Sequence, residues 1–285
     1  MEKETEGKTM KESDYRNMVS MDEYRGTLGA VIGDIVGSFY EFQYGAKSPK
    51  ETAKLFYPSS VFTDDTVCTV GVADYLLHKD EPGADPTSYL HRWTRKYPNA
   101  GYGGRFFQWV HSDDPKPYHS FGNGSAMRAS AVAYFAKSEG DVYALSDKVT
   151  AITHDHPEGM KGARVTAMCI YKALHGASRK EIADYAISEY PEVAKLDYDA
   201  MREYLGHGDE ICQVTVPQAL WAFIHSDSFE DCLRLCIAIR WDCDTLAAIA
   251  CPIAEAYYKE IPAYIIEEAL KRLPQEMKDV LFAIR

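Results

Sequence analysis

The chain has 285 residues, of which 46% are hydrophobic and 26% charged, so its composition is that of a folded globular protein and excludes disorder for most of its length. Its formal net charge of −12 argues against sequence-independent binding to nucleic acid or to an anionic membrane surface. No run approaches the roughly 18 apolar residues that a membrane span requires, and the charged start lacks the apolar core of a signal peptide.

The seven cysteines do not form a paired framework. None belongs to a CxxC pair or has a histidine partner at zinc spacing. They stand at Cys68, Cys169, Cys212, Cys232, Cys236, Cys243 and Cys251. An odd number of scattered thiols in apolar surroundings is typical of reduced, buried side chains, so we predict a cytoplasmic protein.

The first segment of the chain differs in composition from the rest. Residues 1–22 are polar, rich in lysine and glutamate, and without a sustained apolar period. This pattern predicts a flexible N-terminal extension. The remaining residues, 23–285, are predicted to form one domain.

The first predicted helix carries a stripe of glycines. Apolar residues recur at helical spacing over residues 28–39, and Gly29, Gly33 and Gly37 follow one another at i, i+4 steps on that helix. Three glycines inside a helix cost roughly 2–3 kcal/mol relative to alanine. We therefore expect another backbone or a ligand to approach this stripe closely.

Nine further helices are predicted from apolar periodicity and helix-start signals. Their ranges are 67–77, 87–96, 128–136, 157–174, 178–189, 216–226, 229–239, 245–258 and 265–273. Ser178 and Glu181 have capping-box spacing. Convincing period-2 strands are absent, and runs such as 213–216 are too short to carry a sheet. The sequence therefore predicts a compact, single-domain, all-α protein resembling a helical bundle.

Two acidic clusters share one design. Asp64 and Asp65, like Asp242 and Asp244, stand beside threonines directly before an apolar helical run. Capping and the helix dipole explain either cluster alone. If the two meet, with Glu41 just past the first helix, five carboxylates cannot all stay ionised without cations. Two Mg²⁺ ions with oxygen-only ligands would balance that charge, which predicts a dinuclear metal site at helix N-termini.

Two loops are rich in glycine. They cover residues 99–105 and 120–125. Glycine permits positive φ and leaves backbone N–H groups open to a ligand, although ordinary turn chemistry explains either loop alone.

Several motifs, taken in order, resemble the ADP-ribosylglycohydrolase family, which includes the dinitrogenase-reductase-activating glycohydrolase. They are GAVIGD at 29–34, VGSFYE at 36–41, FTDDT at 62–66, GNGSAMR at 122–128, THDHPEG at 153–159, VPQA at 216–219 and DCDTLAAIA at 242–250. Each motif is moderately specific, whereas the whole series across residues 25–285 is highly specific.

The resemblance implies an all-α fold with a two-metal centre, usually magnesium with Mn²⁺ as a substitute, and ADP-ribose or an ADP-ribosylated substrate as partner. The implied metal ligands are Thr63, Asp64, Asp65, Asp242, Asp244 and Thr245. Catalytic roles are expected for Glu41, Asp64 and Asp65. The expected ADP-ribose contacts are Gly122, Asn123, Gly124, Ser125, Met127 and His154. Tyr102 and Phe121 lie in the two glycine loops, where their rings could stack on adenine or have an ordinary packing role.

Other polar residues have simpler interpretations. His154 and His156 are not expected to bind metal beside a carboxylate-rich centre. Asp34, on the glycine-striped helix, is interpreted as a cap for a neighbouring loop, with a catalytic role as the alternative. Arg128 and Arg164 are expected to pair with acids of the site wall, with a phosphate contact as the alternative.

Two departures from the family pattern bear on function. Arg240 and Trp241 stand where glycines commonly precede the last Asp-x-Asp-Thr, and Cys251 stands where glycine is usual. The resemblance implies a hydrolase that releases ADP-ribose from its acceptor. Two alternatives stay open: an ADP-ribose sensor that has lost turnover, and a metal-dependent phosphate or pyrophosphate hydrolase. The acceptor stays open between arginine, serine, a nucleic-acid end and a small ester.

Overall fold

The computed structural model describes residues 26–42, 50, 53–203, 210–239 and 241–284, so the predicted extension and Arg240 lie outside it. Its α-helices, in chain order, are α1 (Leu28–Gly37), α2 (Asp64–His78), α3 (Pro86–Lys96), α4 (Gly104–Val110), α5 (Gly124–Met127), α6 (Val132–Phe135), α7 (Glu139–Thr150), α8 (Pro157–Leu174), α9 (Arg179–Glu189), α10 (Tyr198–Glu203), α11 (Cys212–Ile224), α12 (Phe229–Ile239), α13 (Cys243–Tyr258), α14 (Ala263–Leu270) and α15 (Gln275–Ala283). A 3₁₀ helix, Pro191–Lys195, lies between α9 and α10. In these ranges the chain forms no strand, and the all-α prediction is confirmed.

Helix α13 forms the centre of the domain. Every residue from Cys243 to Ala256 is buried, and the helix packs against α1, α8, α11 and α12. A helix that is largely apolar on all sides is stable only in the interior of a protein. Since the second acidic cluster stands at the start of α13, a helix anchored in the core fixes its position.

The glycine stripe of α1 packs directly on α13. A Cβ atom at Gly33 would lie 2.5 Å from the carbonyl oxygen of Ala247, and one at Gly37 would lie 2.2 Å from Cα of Asp244. The first glycine of the stripe meets the carbonyl oxygen of Cys251 in the same way, at 2.6 Å. The predicted close approach of another backbone is confirmed. It brings the end of α1 beside the start of α13.

Replacing Gly33 with alanine is expected to lower the free energy of unfolding by about 1–3 kcal/mol, the usual cost of overpacking. This loss should appear although alanine forms helices better than glycine by about 1 kcal/mol. Urea unfolding measures the change. The control is Gly140→Ala in α7, where the nearest atom to the new Cβ is Ser138 Oγ at 3.6 Å. A loss of stability no larger for Gly33→Ala than for Gly140→Ala would contradict the close packing.

Two buried acids cap helices to which they do not belong. The Glu255 carboxylate, on α13, accepts a hydrogen bond from the Gly29 N–H at 2.7 Å. Asp34, on α1, accepts from the N–H groups of Thr63 and Thr66 at 2.8 and 3.0 Å, and from the Thr63 hydroxyl at 2.6 Å. The interpretation of Asp34 as a cap is confirmed. These bonds fix α1, α2 and α13 against one another.

The helix predicted over residues 128–136 is wrong. Two single-turn helices, α5 and α6, stand on either side of a buried turn. In that turn Ala129 N–H donates to the carbonyl of Ala126, and Val132 N–H to that of Ala129, so i to i+3 bonds replace the helical pattern. A tertiary contact accounts for this difference, because the buried Arg128 side chain donates a hydrogen bond to the Thr153 hydroxyl.

Other helix bounds differ from the predictions less seriously. Helix α11 begins at Cys212, four residues before its predicted start, and carries Pro217 in its interior. Helices α4, α5, α7, α10 and α15 were not predicted. The start of α7 has a signal that was available, since the Ser138 side chain caps the N–H of Asp141. The capping box of Ser178 and Glu181 is confirmed.

The burial predicted for the cysteines is confirmed. All seven cysteines are buried and free of disulfides. In the described ranges, no helix combines the length and hydropathy needed to cross a bilayer.

Candidate metal and ligand site

The structure brings the two acidic clusters together at the N-termini of α2 and α13. Carboxylate oxygens of Asp34, Asp65 and Asp244 lie within 4.8 Å of one another, and so do those of Glu41, Asp242 and Asp244. Asp244 therefore belongs to both trios. Two adjacent groups of oxygen ligands that share one carboxylate form an arrangement that could hold two cations side by side.

A hard divalent cation fits the donor atoms of this cluster. Asp65 is 2% exposed, and its Oδ1 atom has no hydrogen-bond partner among the described residues. Its other oxygen accepts from the Thr245 hydroxyl at 3.2 Å. A buried carboxylate oxygen without a partner is costly unless a cation satisfies it. All the ligands on offer are oxygen atoms, which suits magnesium or manganese better than softer metals.

The electrostatics of the cluster also call for positive charge. Burial, reinforced by the surrounding carboxylates, raises the pKa of Glu41 to about 7 and that of Asp64 to about 8. The same causes raise the pKa values of Asp65 and Asp244 well above the ordinary range for aspartate. Protons and metal ions therefore compete for the same oxygens.

Stabilisation by Mg²⁺ is expected to grow between about pH 5 and pH 8. The folded pKa values are raised, so the folded protein without divalent cations holds protons that the unfolded chain, with carboxyl pKa values near 4, has released. The contribution of these carboxyls to its stability is fully present at low pH and is lost as pH rises through the folded pKa values. Thermal melts with Mg²⁺ and with a chelator, across this range, measure the effect.

Two variants test this pH dependence. Asp65→Asn changes the carboxylate cluster, and Asp184→Asn, on the surface, is its matched control. The first removes one clustered charge and should flatten the pH dependence of the Mg²⁺ effect. The second changes the net charge of the protein equally and should leave that dependence intact. A shift of the melting temperature by Mg²⁺ that is constant with pH would contradict the proton competition.

The remaining predicted metal ligands lie close to the two trios but differ in their contacts. Asp64 lines the adjoining cavity, yet among the described residues it joins neither trio. Asp34, predicted only as a cap, stands in the trio with Asp65. The Thr63 hydroxyl is already bonded to Asp34, whereas the Thr245 hydroxyl faces Asp65.

A cavity of about 430 Å³ opens beside the carboxylates. Five of the predicted ligand contacts line it: Gly122, Asn123, Gly124, Met127 and His154. The Asn123 side-chain amide donates to Asp242 and to the Thr215 hydroxyl, so the glycine loop is tied to the acidic cluster. A cavity of this size lies in the range typical of small-molecule sites.

His154 lies beneath the glycine loop as a neutral ring. Burial, aided by the nearby arginines, lowers its pKa well below the ordinary value. Arg128 donates to the Thr153 hydroxyl at 2.7 Å, and that hydroxyl lies 2.7 Å from His154 Nδ1. The hydroxyl is thereby oriented to donate to Nδ1, which favours the tautomer with hydrogen on Nε2. A Cβ at Gly124 would lie 3.5 Å from this Nε2 atom.

Arg128 brings a buried positive charge to the cavity wall. The side chain is 1% exposed, lines the cavity and has an Nε atom without a partner among the described residues. The predicted pairing of Arg128 with an acid is not found in those residues. Arg164 does form an ion pair, with Asp147, but outside the cavity. The wall therefore holds a cation close to the ligand space.

Three predicted contacts do not line the cavity in the described residues. Ser125 is buried, and its hydroxyl donates to the Gly159 carbonyl at 2.8 Å. The Tyr102 hydroxyl donates to the Tyr97 carbonyl at 2.9 Å, so its ring packs against the protein. Phe121 is 40% exposed, and its ring lies 5.0 Å from that of His156.

Sequence reasoning missed several lining residues: Phe42, Arg105, Phe106, Tyr118, Ser120 and Glu210. Arg105 is the last residue of the first glycine loop and Phe106 follows it, which was an available signal. The guanidinium of Arg105 lies 4.8 Å from the centre of the Tyr118 ring and shapes the outer wall. Tyr118 and Glu210 carry no local motif, and only the fold reveals them.

Phe42 and Trp241 form a pair beside the acids. Their rings meet edge to face at 5.3 Å, and the Phe42 N–H donates to the Trp241 carbonyl at 3.0 Å. Both residues have positive φ, at 51° and 64°. This conformation costs a side-chain-bearing residue roughly 1–2 kcal/mol and suits glycine. Glycine at position 241 would adopt this backbone without that cost, whereas tryptophan holds it in this structure.

The fold and this site together define an all-α protein with a carboxylate cluster at two helix N-termini and a glycine-lined cavity beside it. The family model for ADP-ribosylglycohydrolase matches residues 17–283, so the chain belongs to the ADP-ribosylglycohydrolase family.

Relatives and a solved structure agree with this membership. Human ADP-ribosylhydrolase ARH3 is 25% identical over 320 residues, covering 84% of this chain and 86% of that protein. ADP-ribosylarginine hydrolase Tri1 of Pseudomonas putida (strain GB-1) is 25% identical over 297 residues, covering 91% and 79%. A structure titled "ADP-ribosylglycohydrolase-related protein complex" superposes with a TM-score of 0.69 at 24% identity, covering 94% of this chain and 96% of that one, and shares the fold.

Proposed function

We propose that this protein is a magnesium-dependent hydrolase that cleaves the glycosidic bond between ADP-ribose and an acceptor, reversing ADP-ribosylation. The observation that carries the proposal is the separation of negative and positive charge around one cavity. One end holds carboxylates that require cations, and its wall holds the buried guanidinium of Arg128 beside a glycine loop. ADP-ribose has the matching chemistry, since its diphosphate is anionic and its ribose hydroxyls are good metal ligands.

The metal centre is proposed to involve Asp34, Asp65, Asp242 and Asp244, with Thr63, Asp64 and Thr245 beside them. When bound, Mg²⁺ would supply Lewis acidity and orientation for the ribose hydroxyls and a water molecule. The carboxylates themselves supply negative charge near the anomeric carbon, where an oxocarbenium-like transition state develops positive charge.

The glycine loop is proposed to hold the diphosphate. Gly122 and Gly124 leave room for a ligand to approach the backbone, and Asn123 fixes the loop to Asp242. The neutral His154 can offer its Nε2–H as a donor without adding charge. Arg128 supplies the opposite charge from the wall, where low exposure strengthens its attraction to an anion.

Glu41 is proposed as the residue that moves a proton. It is half-buried beside Asp242 and Asp244, and its pKa is raised to about 7 by burial and by neighbouring carboxylates. A group that titrates near the working pH both takes up and releases protons readily, as a general acid or base requires.

The decisive experiment offers the full chain a panel of ADP-ribosylated substrates with Mg²⁺ or with a chelator. The panel contains ADP-ribosylated arginine and serine peptides, an ADP-ribosylated nucleic-acid end and a small ester of ADP-ribose. Arginine is included because the Pseudomonas relative is named an ADP-ribosylarginine hydrolase. We expect Mg²⁺-dependent release of free ADP-ribose from at least one member, identified by mass spectrometry. Asp65→Asn should be inactive and the surface variant Asp184→Asn active.

The products distinguish the alternatives. Release of AMP or phosphate would instead support a phosphate or pyrophosphate hydrolase. ADP-ribose binding by calorimetry, without turnover of any substrate, would support the sensor. Turnover that is equal with Mg²⁺ and with chelator would contradict the metal-dependent mechanism.

Trp241→Gly is expected to broaden the range of acceptors while leaving Mg²⁺ binding intact. The Trp241 ring packs on Phe42, which lines the cavity, and the variant removes this ring. Glycine adopts the positive φ of position 241 without strain, so the backbone should be kept. Turnover of each panel member by wild type and variant measures the effect. Phe42→Ala is the companion variant and should broaden the profile in the same direction. Identical profiles in all three proteins would show that this pair does not select acceptors.

A further inference from the structure

Three of the seven cysteines converge at one point in the core, away from the acidic cluster. The Sγ atoms of Cys232 and Cys236, on α12, and of Cys251, on α13, all lie within 4.8 Å of one another. We call them the thiol trio. The other four cysteines do not take part in such a group among the described residues.

The trio is fully enclosed by protein. Each of its residues is 0% exposed. Ser226, at the end of α11, is also buried, and its side chain hydrogen-bonds with Cys232. The Cys236 thiol lies 4.0 Å from the carbonyl oxygen of Leu246. The trio therefore forms a small polar and polarisable centre where α11, α12 and α13 meet.

The spacing of the sulfur atoms suits a shared metal ion. With metal–sulfur bonds of about 2.3 Å, the sulfur atoms around one ion stand roughly 4 Å apart. The observed limit of 4.8 Å requires only small side-chain rotations. Sulfur ligands select soft ions, whereas the oxygen-only acidic cluster selects hard ones, so the two centres would not compete for the same metal.

The members of the trio hydrogen-bond with one another and with Ser226. Thiolates are the metal-binding form of cysteine, so binding of a metal ion would displace thiol protons from these sulfur atoms.

We propose that Cys232, Cys236 and Cys251 form a second metal site, which binds one soft metal ion through three sulfur atoms. No oxidation is involved: the metal–sulfur bonds form as thiol protons are released to solvent. The site is independent of the hydrolase function proposed for the cavity. Because the trio is enclosed, metal uptake requires a local opening between α12 and α13 and is expected to be slow.

The test titrates the reduced full chain with Cd²⁺, without oxygen and with saturating Mg²⁺ to occupy the carboxylates. The ultraviolet sulfur-to-cadmium charge-transfer band reports sulfur ligation alone, and the metal content after desalting gives the stoichiometry. We expect one tightly held Cd²⁺ per chain with this band. Wild-type protein that shows no band after prolonged incubation with stoichiometric Cd²⁺ overturns the proposal without recourse to any variant.

Variants locate the site. Cys232→Ser and Cys251→Ser should each weaken Cd²⁺ binding by more than about 100-fold, beyond the effect of losing an outer-shell partner. Cys169→Ser, which changes an equally buried but separate cysteine in α8, should bind Cd²⁺ as wild type does. Cys251→Ala, which adds no hydroxyl to the core, replaces the serine variant if that fails to fold. An undiminished band in folded Cys251 variants, or equal weakening by Cys169→Ser, overturns the assignment.

Discussion

Asp244→Asn is expected to abolish the response of the melting temperature to Mg²⁺ and to reduce turnover by at least about 1,000-fold. Asp244 is the residue that belongs to both carboxylate trios, so its loss weakens both proposed cation positions at once. A bound metal contributes several kcal/mol to a hydrolytic transition state, which corresponds to at least about three factors of ten in rate.

The substitution is nearly neutral for the fold. The Asp244 side chain accepts a hydrogen bond from the Thr245 N–H at 2.9 Å, and the asparagine oxygen can keep that bond. Removing one of the clustered negative charges should also raise the melting temperature of the protein in chelator, because less repulsion remains. Higher stability without metal, together with loss of the Mg²⁺ response, is a signature that a merely damaged structure would not give.

Asp184→Asn is the matched control, since Asp184 is exposed and pairs with Lys180 on the surface. It should preserve both the Mg²⁺ response and the turnover. The metal-site assignment would have to be withdrawn if Mg²⁺ shifted the melting temperatures of Asp244→Asn and wild type equally.

Much of the fold could be predicted because its signals are local. Helix α12 coincides with the predicted range, and the capping box of Ser178 identified the start of α9. The glycine stripe predicted a close backbone neighbour, although only the structure identifies that neighbour as α13. The helix predicted over residues 128–136 failed because the position of the Arg128 side chain, a tertiary feature, decides the backbone there.

The site was predictable to the extent that its residues stand in motifs. The two acidic clusters were visible in the sequence, but their meeting depends on how α1, α2 and α13 pack. Asp34 was interpreted as a cap and fills that role, yet the same packing places it in a carboxylate trio. One side chain can serve both purposes because a carboxylate has two oxygen atoms with several lone pairs.

The convergence of three cysteines shows the same limit of sequence-based prediction for residues outside motifs. Cys232 and Cys236 stand at i, i+4, which places them on one face of α12. The third member, Cys251, follows on another helix, and its approach depends on the packing of α12 against α13. Sequence spacing alone therefore indicated isolated buried thiols.

Glu41→Gln is expected to retain ADP-ribose binding while losing at least about 100-fold in turnover, the scale of a general acid or base. Glutamine keeps the size and one oxygen of the side chain but removes its titration. Calorimetry measures the binding and single-turnover kinetics the chemical step. Wild-type turnover in this variant would exclude a catalytic role for Glu41.

The pH profile tells how Glu41 acts. Burial and the neighbouring carboxylates raise the pKa of Glu41 to about 7 before cations bind, which predicts an inflection in the wild-type pH profile at or below neutral pH that is absent from Glu41→Gln. If the ionised carboxylate takes a proton from water, the wild-type rate rises with pH through this inflection. If the protonated form gives a proton to the leaving group, the rate falls instead.

A further measurement separates proton transfer from metal ligation, because Glu41 also stands within 4.8 Å of Asp242 and Asp244 in one carboxylate trio. If the Mg²⁺ concentration that gives half-maximal activity is unchanged in the variant, Glu41 acts in proton transfer. If that concentration rises in proportion to the lost turnover, Glu41 holds the metal.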